Sequence, residues 1–253
     1  MVDLFENLLL IIVTVAAALL FMGGLNVLWP PQSRRLHNDI IGWQLSVLGT
    51  TYAVILGFML YTVWTNFGDA SLNVDREAGA LANFHALVQG LPEPQRGELT
   101  RLAVSYAQEA IQSDWPRMDV GQVPEATVAI NRQMWATLMT TKPQSSAEAT
   151  AQDHAISQLG ALTEHRRTRL LQNAAKLPGV LWCVLLAGAA LTIGSCCTFG
   201  AESARLHGVQ VFALSLLISL CLAAIADINQ PFHGAVHVSD LAFVRAQQAM
   251  EPR

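Results

Sequence analysis

The chain has 253 residues, of which 52% are hydrophobic and only 13% are charged. Soluble domains contain about 25% charged residues, so this composition favours a membrane protein. The net charge of −4 argues against a nucleic-acid partner, because such partners are bound through an excess of Lys and Arg. The four cysteines lie within apolar runs and lack the paired spacing of a zinc site, which indicates small hydrophobic residues rather than metal ligands.

Four runs without charged residues are each long enough to cross a membrane as a helix. They comprise residues 7–33, 40–68, 177–201 and 206–226. A bilayer core about 30 Å thick requires roughly 20 helical residues, and backbone groups in lipid must pair within the segment. The first run exceeds the length of a signal-peptide core, about 7–15 residues, and follows acidic rather than basic residues. We therefore predict an all-α integral membrane protein with four retained transmembrane helices.

The segment between the second and third spans also has helical periodicity. It contains about 110 residues, which is too long for a passive loop. Apolar residues recur at three- and four-residue steps, as on one face of a helix. The predicted faces are Val74, Ala78, Leu81 and Val88; Leu99, Leu102, Ala103, Tyr106 and Ala110; Ile130, Met134 and Leu138; and Ala155, Leu159 and Leu162. The first face continues span two and the last leads into span three near Pro178, so both spans are expected to extend beyond the bilayer.

These segments give a predicted domain organisation in four parts. Residues 1–66 form spans one and two, and residues 67–176 form a helical cytosolic region that continues from span two and into span three. Residues 177–228 form spans three and four, and residues 229–253 form a C-terminal tail. The middle segment has Arg76, Arg166, Arg167, Arg169 and Lys176 near the membrane, against Arg34, Arg35 and Arg205 in the short loops. We expect the chain to lie in the cell membrane. The positive-inside rule then favours the orientation that places the termini and the middle region in the cytoplasm.

Span two has a face of small and hydroxyl-bearing residues, and this face is the candidate functional site. The predicted pore-lining residues are Ser46, Gly49, Thr50, Ala53, Gly57 and Tyr61. Small residues at four-residue spacing let helices pack closely in lipid, which is one interpretation. The other is a central pore in an oligomer, with hydroxyl groups available to an ion and an apolar constriction of Phe58, Tyr61 or Trp64 that gates by dewetting. Both interpretations can apply to different sides of one helix.

The end of the fourth span, "AAIADINQPFHGAVHVSD", raises the question of a metal site. His233 and His237 have the i, i+4 spacing that binds metal on a helix, but no HExxH glutamate accompanies them and Gly234 lies between them. We therefore predict no metal, and we interpret Asp227, Pro231 and Phe232 as a structural anchor where the helix ends. No P-loop, GxSxG or dinucleotide motif is present, so we predict neither an enzyme with catalytic residues nor a cofactor.

Several motifs together resemble one family. They are "GTTYAVILGFMLYTVWTNFGDA" leading into "VDREAGALANF", Trp115-Pro116, and "DINQPFHG" after the last span. Over nearly the whole chain they resemble the bestrophin-like membrane proteins of bacteria and plants. The resemblance implies an oligomeric anion channel with four spans, in which the second span lines the pore and forms an aromatic and apolar neck.

Two departures limit what the resemblance implies. Asn229-Gln230 stands before the proline where many relatives are expected to have a charged or different polar residue, so no charge-based role is carried over. Asp69, Asp75 and Glu77 are too few and too loosely placed for the acidic calcium clasp of the animal channels.

The leading functional hypothesis is a homo-oligomeric channel for small anions, chloride above all, with contacts to membrane lipid and to its own copies. The spans contain no acidic ring, which disfavours a cation-selective filter. The alternative is a non-conducting membrane scaffold or sensor whose helical cytosolic region recruits a partner through Trp115, Met134 and Trp135.

Overall fold

The computed structural model describes residues 2–251, and these form ten α-helices and no strand. The helices are α1 (Val2–Leu28), α2 (Pro31–Arg34), α3 (Asn38–Val88), α4 (Gln95–Glu109), α5 (Trp115–Asp119), α6 (Ala126–Thr140), α7 (Ser146–Ala174), α8 (Gly179–Cys197), α9 (Ala204–Ile228) and α10 (Leu241–Met250). A 3-10 turn at Arg35–His37 precedes α3, and a π-helical turn at Ala110–Asp114 joins α4 to α5. The predicted all-α fold is confirmed.

Four of these helical segments are long and apolar enough to cross a membrane, as predicted. The first is α1, and the second is the segment Pro31–Val88, which contains α3. The third is α8 and the fourth is α9. The chain divides into two compact units. The first, here called the membrane unit, comprises the chain up to Thr65 together with Lys176–Asn229. The second, here called the helical unit, comprises Asn66–Ala175 together with the chain from Gln230 onward.

The membrane unit packs α1, the first part of α3, α8 and α9 around a small apolar core. Leu185, Val211 and Ile225 are fully buried there. Large apolar side chains such as Leu20 and Leu217 remain exposed on the outside of the unit. Exposed apolar surface of this extent is what a helix presents to lipid or to another subunit.

The helical unit has the larger core, and its apolar faces are those predicted from periodicity. Helices α4, α6, α7 and α10 pack with the second part of α3 around Phe84, Tyr106, Met134 and Leu159. Every residue of the four predicted faces is buried except Ile130, which is half-buried against the same core. The burial of these residues confirms the four predicted faces. Burying an apolar stripe provides most of the stability of such helices.

The structure corrects one expectation about span three. Helix α7 ends at Ala174, Ala175 is extended, and α8 begins only at Gly179. The predicted continuous helix from the cytosolic region into the third span is therefore wrong. Pro178 explains the break, because proline has no N–H group to donate and disfavours helical geometry at the residue before it.

The C-terminal tail contains a helix to which the sequence analysis assigned no structure. Helix α10 buries Phe243, Ala246 and Met250 in the core of the helical unit. Phe243 lies edge-on to Trp115 with a centroid separation of 5.5 Å. The tail therefore contributes to the core of the helical unit.

Candidate functional site

The predicted pore-lining residues lie on a flank of α3 beside the side that packs in the core of the membrane unit. Ser46, Thr50, Ala53, Gly57 and Tyr61 are exposed, and Gly49 is half-buried. Tyr52 and Val63, which lie about 120° around the helix from the centre of this face, are buried. Because successive residues are rotated by about 100° around the helix axis, the six predicted pore-lining residues form one continuous, largely exposed face.

The hydroxyl groups of Ser46 and Thr50 on this face have no partner in the part of the chain that the structure describes. About three and four turns after Thr50, the hydroxyls of Thr62 and Thr65 instead donate to the carbonyls of Phe58 and Tyr61 within the helix. Ser46 and Thr50 are thus among the exposed hydroxyl groups of α3, with Thr51 and Tyr61, that have no hydrogen-bond partner among the described residues.

One edge of the same face borders a groove between α3 and α9. Gly49, Ala53 and Gly57 form one wall of this groove, which has a volume of about 300 Å³. The facing wall consists mainly of apolar residues of α9, including Leu214, Leu217, Ile218 and Cys221. The small residues therefore border a space wide enough for a side chain, and both sequence interpretations of the stripe, packing and pore lining, still apply.

The three candidates for an apolar constriction are all exposed on α3. Phe58, Tyr61 and Trp64 have 65%, 69% and 60% of their surface accessible, respectively. Aromatic residues so exposed within a single chain are available to other copies of the chain, to lipid, or to a central space.

The first part of α3 is fixed against α8 by one tyrosine. The hydroxyl of Tyr52 donates to the carbonyl of Leu185 at 2.9 Å, and its ring packs directly on Gly188. A Cβ atom at position 188 would lie 2.4 Å from the tyrosine ring. Glycine at this position therefore permits a contact that fixes the rotation of α3 about its axis, and with it the direction of the exposed face.

The short connections of the membrane unit contain a buried arginine. Arg34 donates to the carbonyl of Cys197 at 2.8 Å and to the side-chain oxygen of Asn26. Asn38 and Gly200 exchange two hydrogen bonds nearby. A cation at the carbonyl end of α8 is favourable because the helix dipole is negative there. Arg34, which the sequence analysis counted as a loop charge, thus caps a transmembrane helix.

The residues of the predicted structural anchor lie at the end of α9 and beyond it. Asp227 is half-buried in the last turn of the helix, whereas Pro231 and Phe232 are buried in the helical unit. Phe232 packs edge-on against Trp115 at 6.1 Å between ring centroids. The carbonyl of Pro231 accepts a hydrogen bond from the backbone of Val238 at 2.7 Å.

The two histidines that follow the anchor bind protein groups. Nδ1 of His233 contacts the carbonyl of Asp119, and Nδ1 of His237 contacts the carbonyl of Gly234. Within residues 2–251, no group of three or more His, Cys, Asp or Glu side chains is placed to bind a metal ion.

A buried ionic network in the helical unit was missed from the sequence. Arg169 binds the carboxylate of Glu77 through two nitrogens, at 2.7 and 3.0 Å, and the carboxylate of Asp114 at 3.1 Å. All three side chains are fully buried. The Tyr106 hydroxyl donates to Glu77 at 2.8 Å, and the Thr127 hydroxyl donates to Asp114 at 2.7 Å.

The surroundings of this network favour the charged arginine. The guanidinium carbon of Arg169 lies 5.0 Å from the centre of the Trp115 ring, within the range of a cation–π contact. Burial opposes the charge, but Glu77 above all, followed by Tyr106 and Asp114, outweighs it and raises the pKa of Arg169. Burial, followed by the negative charge of Glu77, raises the pKa of Tyr106 well above its ordinary value. The network therefore holds α3, α4, α7 and the π-helical turn together at one buried point.

The sequence did contain a signal for this network. Glu77 lies three residues after Val74 and four before Leu81, and thus on a predicted apolar face. Arg169 lies seven residues after Leu162, also on a predicted apolar face. Two opposite charges on faces that must be buried indicate an ion pair, because an unpaired buried charge is very costly.

The structure also corrects the proposed partner-contact residues. Trp115 and Met134 are buried in the core of the helical unit, and the indole of Trp115 donates to the carbonyl of Val238. Trp135 is half-buried and donates to Thr163 at 3.1 Å. Trp115 and Met134 are therefore core residues and are not available to a partner.

Comparison with known proteins finds one protein family and two solved structures with the same fold. The family model for the Bestrophin-like domain matches residues 12–243. A crystallised mutant of a bacterial bestrophin homologue from Klebsiella pneumoniae has the same fold, with a TM-score of 0.69, 10% sequence identity, and coverage of 97% of this chain and 99% of that chain. A second crystallised variant, of a membrane protein, has a TM-score of 0.66 and 11% identity over 97% of both chains. No curated protein matches the chain closely enough to count as a relative.

Proposed function

The chain belongs to the Bestrophin-like family, and from this membership we propose that it is a homo-oligomeric ion channel that conducts small anions such as chloride. Membership supports a channel-type membrane protein rather than an enzyme. The finer proposal is that α3 lines the pore. The observation that supports it most directly is the exposed, uncharged face of α3 with the free hydroxyls of Ser46 and Thr50.

The proposed pore face lacks acidic residues, and this composition favours anions. No acidic residue occurs between Asp39 and Asp69, which is the whole length of the predicted second span. Rings of Asp or Glu are the usual way to select cations, whereas hydroxyl donors can replace part of the hydration shell of an anion. An uncharged pore with hydroxyl donors therefore suits chloride better than sodium or potassium.

Gating is proposed to occur at the aromatic residues of α3. When several copies of α3 surround an axis, Phe58, Tyr61 or Trp64 of each copy would form an apolar ring. Such rings block ions by excluding water when they are narrow. Removing one of them should therefore increase the flux.

The test is a chloride flux measurement on purified protein in liposomes. We expect flux above that of empty vesicles, and we expect Phe58→Ala to increase it several-fold because the constriction widens. Phe212→Ala is the matched control, since Phe212 is an exposed phenylalanine of α9. Absence of flux above empty vesicles at several voltages and pH values would reject the channel in this form.

A second substitution separates a channel from a scaffold. A Cβ atom added at Gly57 would meet nothing within 4 Å, so Gly57→Ala leaves the fold of one chain undisturbed. In a channel it changes the conductance, whereas in a scaffold it changes assembly alone. Gly24→Ala on α1 is the control, because that position is equally open. The burial of Trp115 and Met134 removes two of the three contact residues of the scaffold alternative, and Trp135 is half-buried.

The proposed location is the cell membrane, with the termini and residues 67–176 in the cytoplasm. The apolar helices support a membrane location. The orientation is supported by the basic residues that flank the middle segment, since Lys and Arg are retained on the cytoplasmic side.

A further inference from the structure

We propose that Asp75 and Arg76 of α3 pair between neighbouring copies of the chain, so that each Asp75 carboxylate meets the Arg76 guanidinium of the next subunit. The partner is thus a second copy of the same chain, and the surface is the exposed face of α3 within the helical unit. The inference rests on the proposed homo-oligomer and names a contact that joins its subunits.

The two charges lie on opposite flanks of one exposed helix face. The buried side of α3 in this region includes Val74, Glu77 and Leu81. Leu72 and Gly79 lie near the middle of the exposed side. At about 100° per residue, Asp75 falls about 50° to one side of that middle and Arg76 about 50° to the other.

Neither charge has a hydrogen-bond or ion-pair partner among the residues that the structure describes. Charges on a helix pair with positions three or four residues away. Those positions are Ser71, Leu72, Asn73, Ala78, Gly79 and Ala80, and all of them are uncharged. Glu77, the next acidic residue, is by contrast fully paired in the core.

The arrangement is self-complementary under rotation. When copies of the helix stand parallel around an axis that their exposed faces approach, the left flank of each copy meets the right flank of the next. Asp75 and Arg76 differ in height by only about 1.5 Å along the helix, so opposite charges then face each other at nearly the same level. The match holds for any number of copies around the axis.

Charge reversal tests the pairing through the oligomeric state. Asp75→Arg or Arg76→Asp alone places like charges opposite each other, which costs affinity. We expect each single variant to dissociate at a protein concentration about tenfold higher than the native chain, a change of about 1.4 kcal/mol. The double variant Asp75→Arg with Arg76→Asp restores opposite charges, and we expect it to return to the native value.

The measurement is light scattering of detergent-solubilised protein over a dilution series at low salt. Asp153→Arg on α7 is the matched control, because Asp153 is exposed and has no ion pair among the described residues. We expect it to leave the oligomer unchanged. Circular dichroism of each variant verifies that its helices have formed.

Disulfide crosslinking gives an independent readout. In a chain whose four native cysteines are replaced by alanine, Asp75→Cys combined with Arg76→Cys should give covalent oligomers on mild oxidation. Either cysteine alone should leave most of the protein monomeric on denaturing gels, because each flank then meets a flank without a cysteine.

The outcomes separate this inference from the proposed function. If the native chain is oligomeric but charge reversal has no effect and no covalent oligomers form, the pairing is wrong and the proposed channel stands. If the native chain is monomeric at all concentrations in detergent and in liposomes, both the pairing and the homo-oligomer are wrong.

Discussion

Arg169 has two buried acidic partners, and the loss of either one should cost far more than the loss of a surface pair. Glu77→Gln keeps the shape of the side chain but removes the charge that two guanidinium nitrogens contact. Leaving a buried charge without any partner typically costs about 3–5 kcal/mol, and Arg169 keeps Asp114 at 3.1 Å, so this range is the upper limit. We expect a decrease of up to that size in the free energy of unfolding, measured by denaturant titration with circular dichroism in detergent.

The control for this prediction is an exposed pair on α7. Glu164 and Arg167 lie 4.0 Å apart and are both largely exposed. Pairs of this kind contribute about 0–1 kcal/mol, so Glu164→Gln should have little effect. Equal losses for the two variants would show that the Glu77 carboxylate is not buried against Arg169.

Tyr106 should make the stability of the helical unit depend on alkaline pH. Because its pKa is raised in the folded protein, the folded state keeps this proton to a higher pH than the unfolded chain. The stabilisation is complete below the unfolded pKa of about 10 and decreases as the pH rises above it. Tyr106→Phe should therefore flatten the decline of the urea midpoint between about pH 9 and 11. A decline of the same slope in both proteins would refute the role of Tyr106.

At the residue scale, periodicity predicted the buried apolar residues but not the charged residues among them. Leu99, Leu102 and Tyr106 could be assigned to a core because their spacing matches one helix face. Glu77 and Arg169 are separated by 92 residues. Each of them lies on a predicted apolar face, but only the long-range packing of α3 against α7 shows that they are partners.

Among the helices of the membrane unit, the contact of α3 with α8 depends on the absence of a side chain at Gly188. Gly188→Ala would place a Cβ atom 2.4 Å from the ring of Tyr52, so one helix must shift. Overpacking of this kind costs about 1–3 kcal/mol. We expect a lower thermal midpoint in detergent, measured by the intrinsic fluorescence of the tryptophans.

The control lies on the same helix. A Cβ atom at Gly194 would meet nothing within 4 Å, and alanine has the higher helix propensity. Gly194→Ala should therefore maintain or raise the midpoint. A loss of stability at Gly194 that matched the loss at Gly188 would mean that the tyrosine contact is not the cause.

At the element scale, hydropathy predicted the four spans because length and the absence of charge are sufficient to define them. The interruption between α7 and α8 was not predicted, although Pro178 was the visible cause. Helix α10 was also missed, even though Phe243, Ala246 and Met250 have the three- and four-residue spacing of a buried face. Its short length of ten residues makes such a pattern weak until a core is present to bury it.

At the scale of the whole molecule, the candidate site could be predicted only in part. The sequence identified a face of α3, and the structure places that face on the outside of the membrane unit. A pore that several copies form together is enclosed only in the assembly. The periodicity of one chain therefore cannot distinguish a pore face from a packing face. The exposed hydroxyls of Ser46 and Thr50 favour the pore, and the groove beside Gly57 favours packing.

The orientation in the membrane gives a prediction for the whole chain. In a variant without native cysteines, Gln144→Cys places one thiol in the loop after α6, and Glu202→Cys places one in the loop between α8 and α9. Labelling of each thiol shows on which side of the membrane its loop lies. Both positions are exposed. Since Arg76, Arg166 and Arg167 flank the middle segment, the positive-inside rule predicts that Gln144→Cys lies in the cytoplasm.

A membrane-impermeant maleimide should then label Glu202→Cys in intact cells and Gln144→Cys only in inverted vesicles or lysed cells. The competing basic residues on the other side include Arg34, which is buried and hydrogen-bonded to Cys197 as a helix cap. Because Arg34 is required there for structure, replacing Arg35 and Arg205 with Gln should leave the labelling pattern unchanged or make it more uniform. Labelling of Gln144→Cys in intact cells would reverse the proposed orientation and place the helical unit outside the cytoplasm.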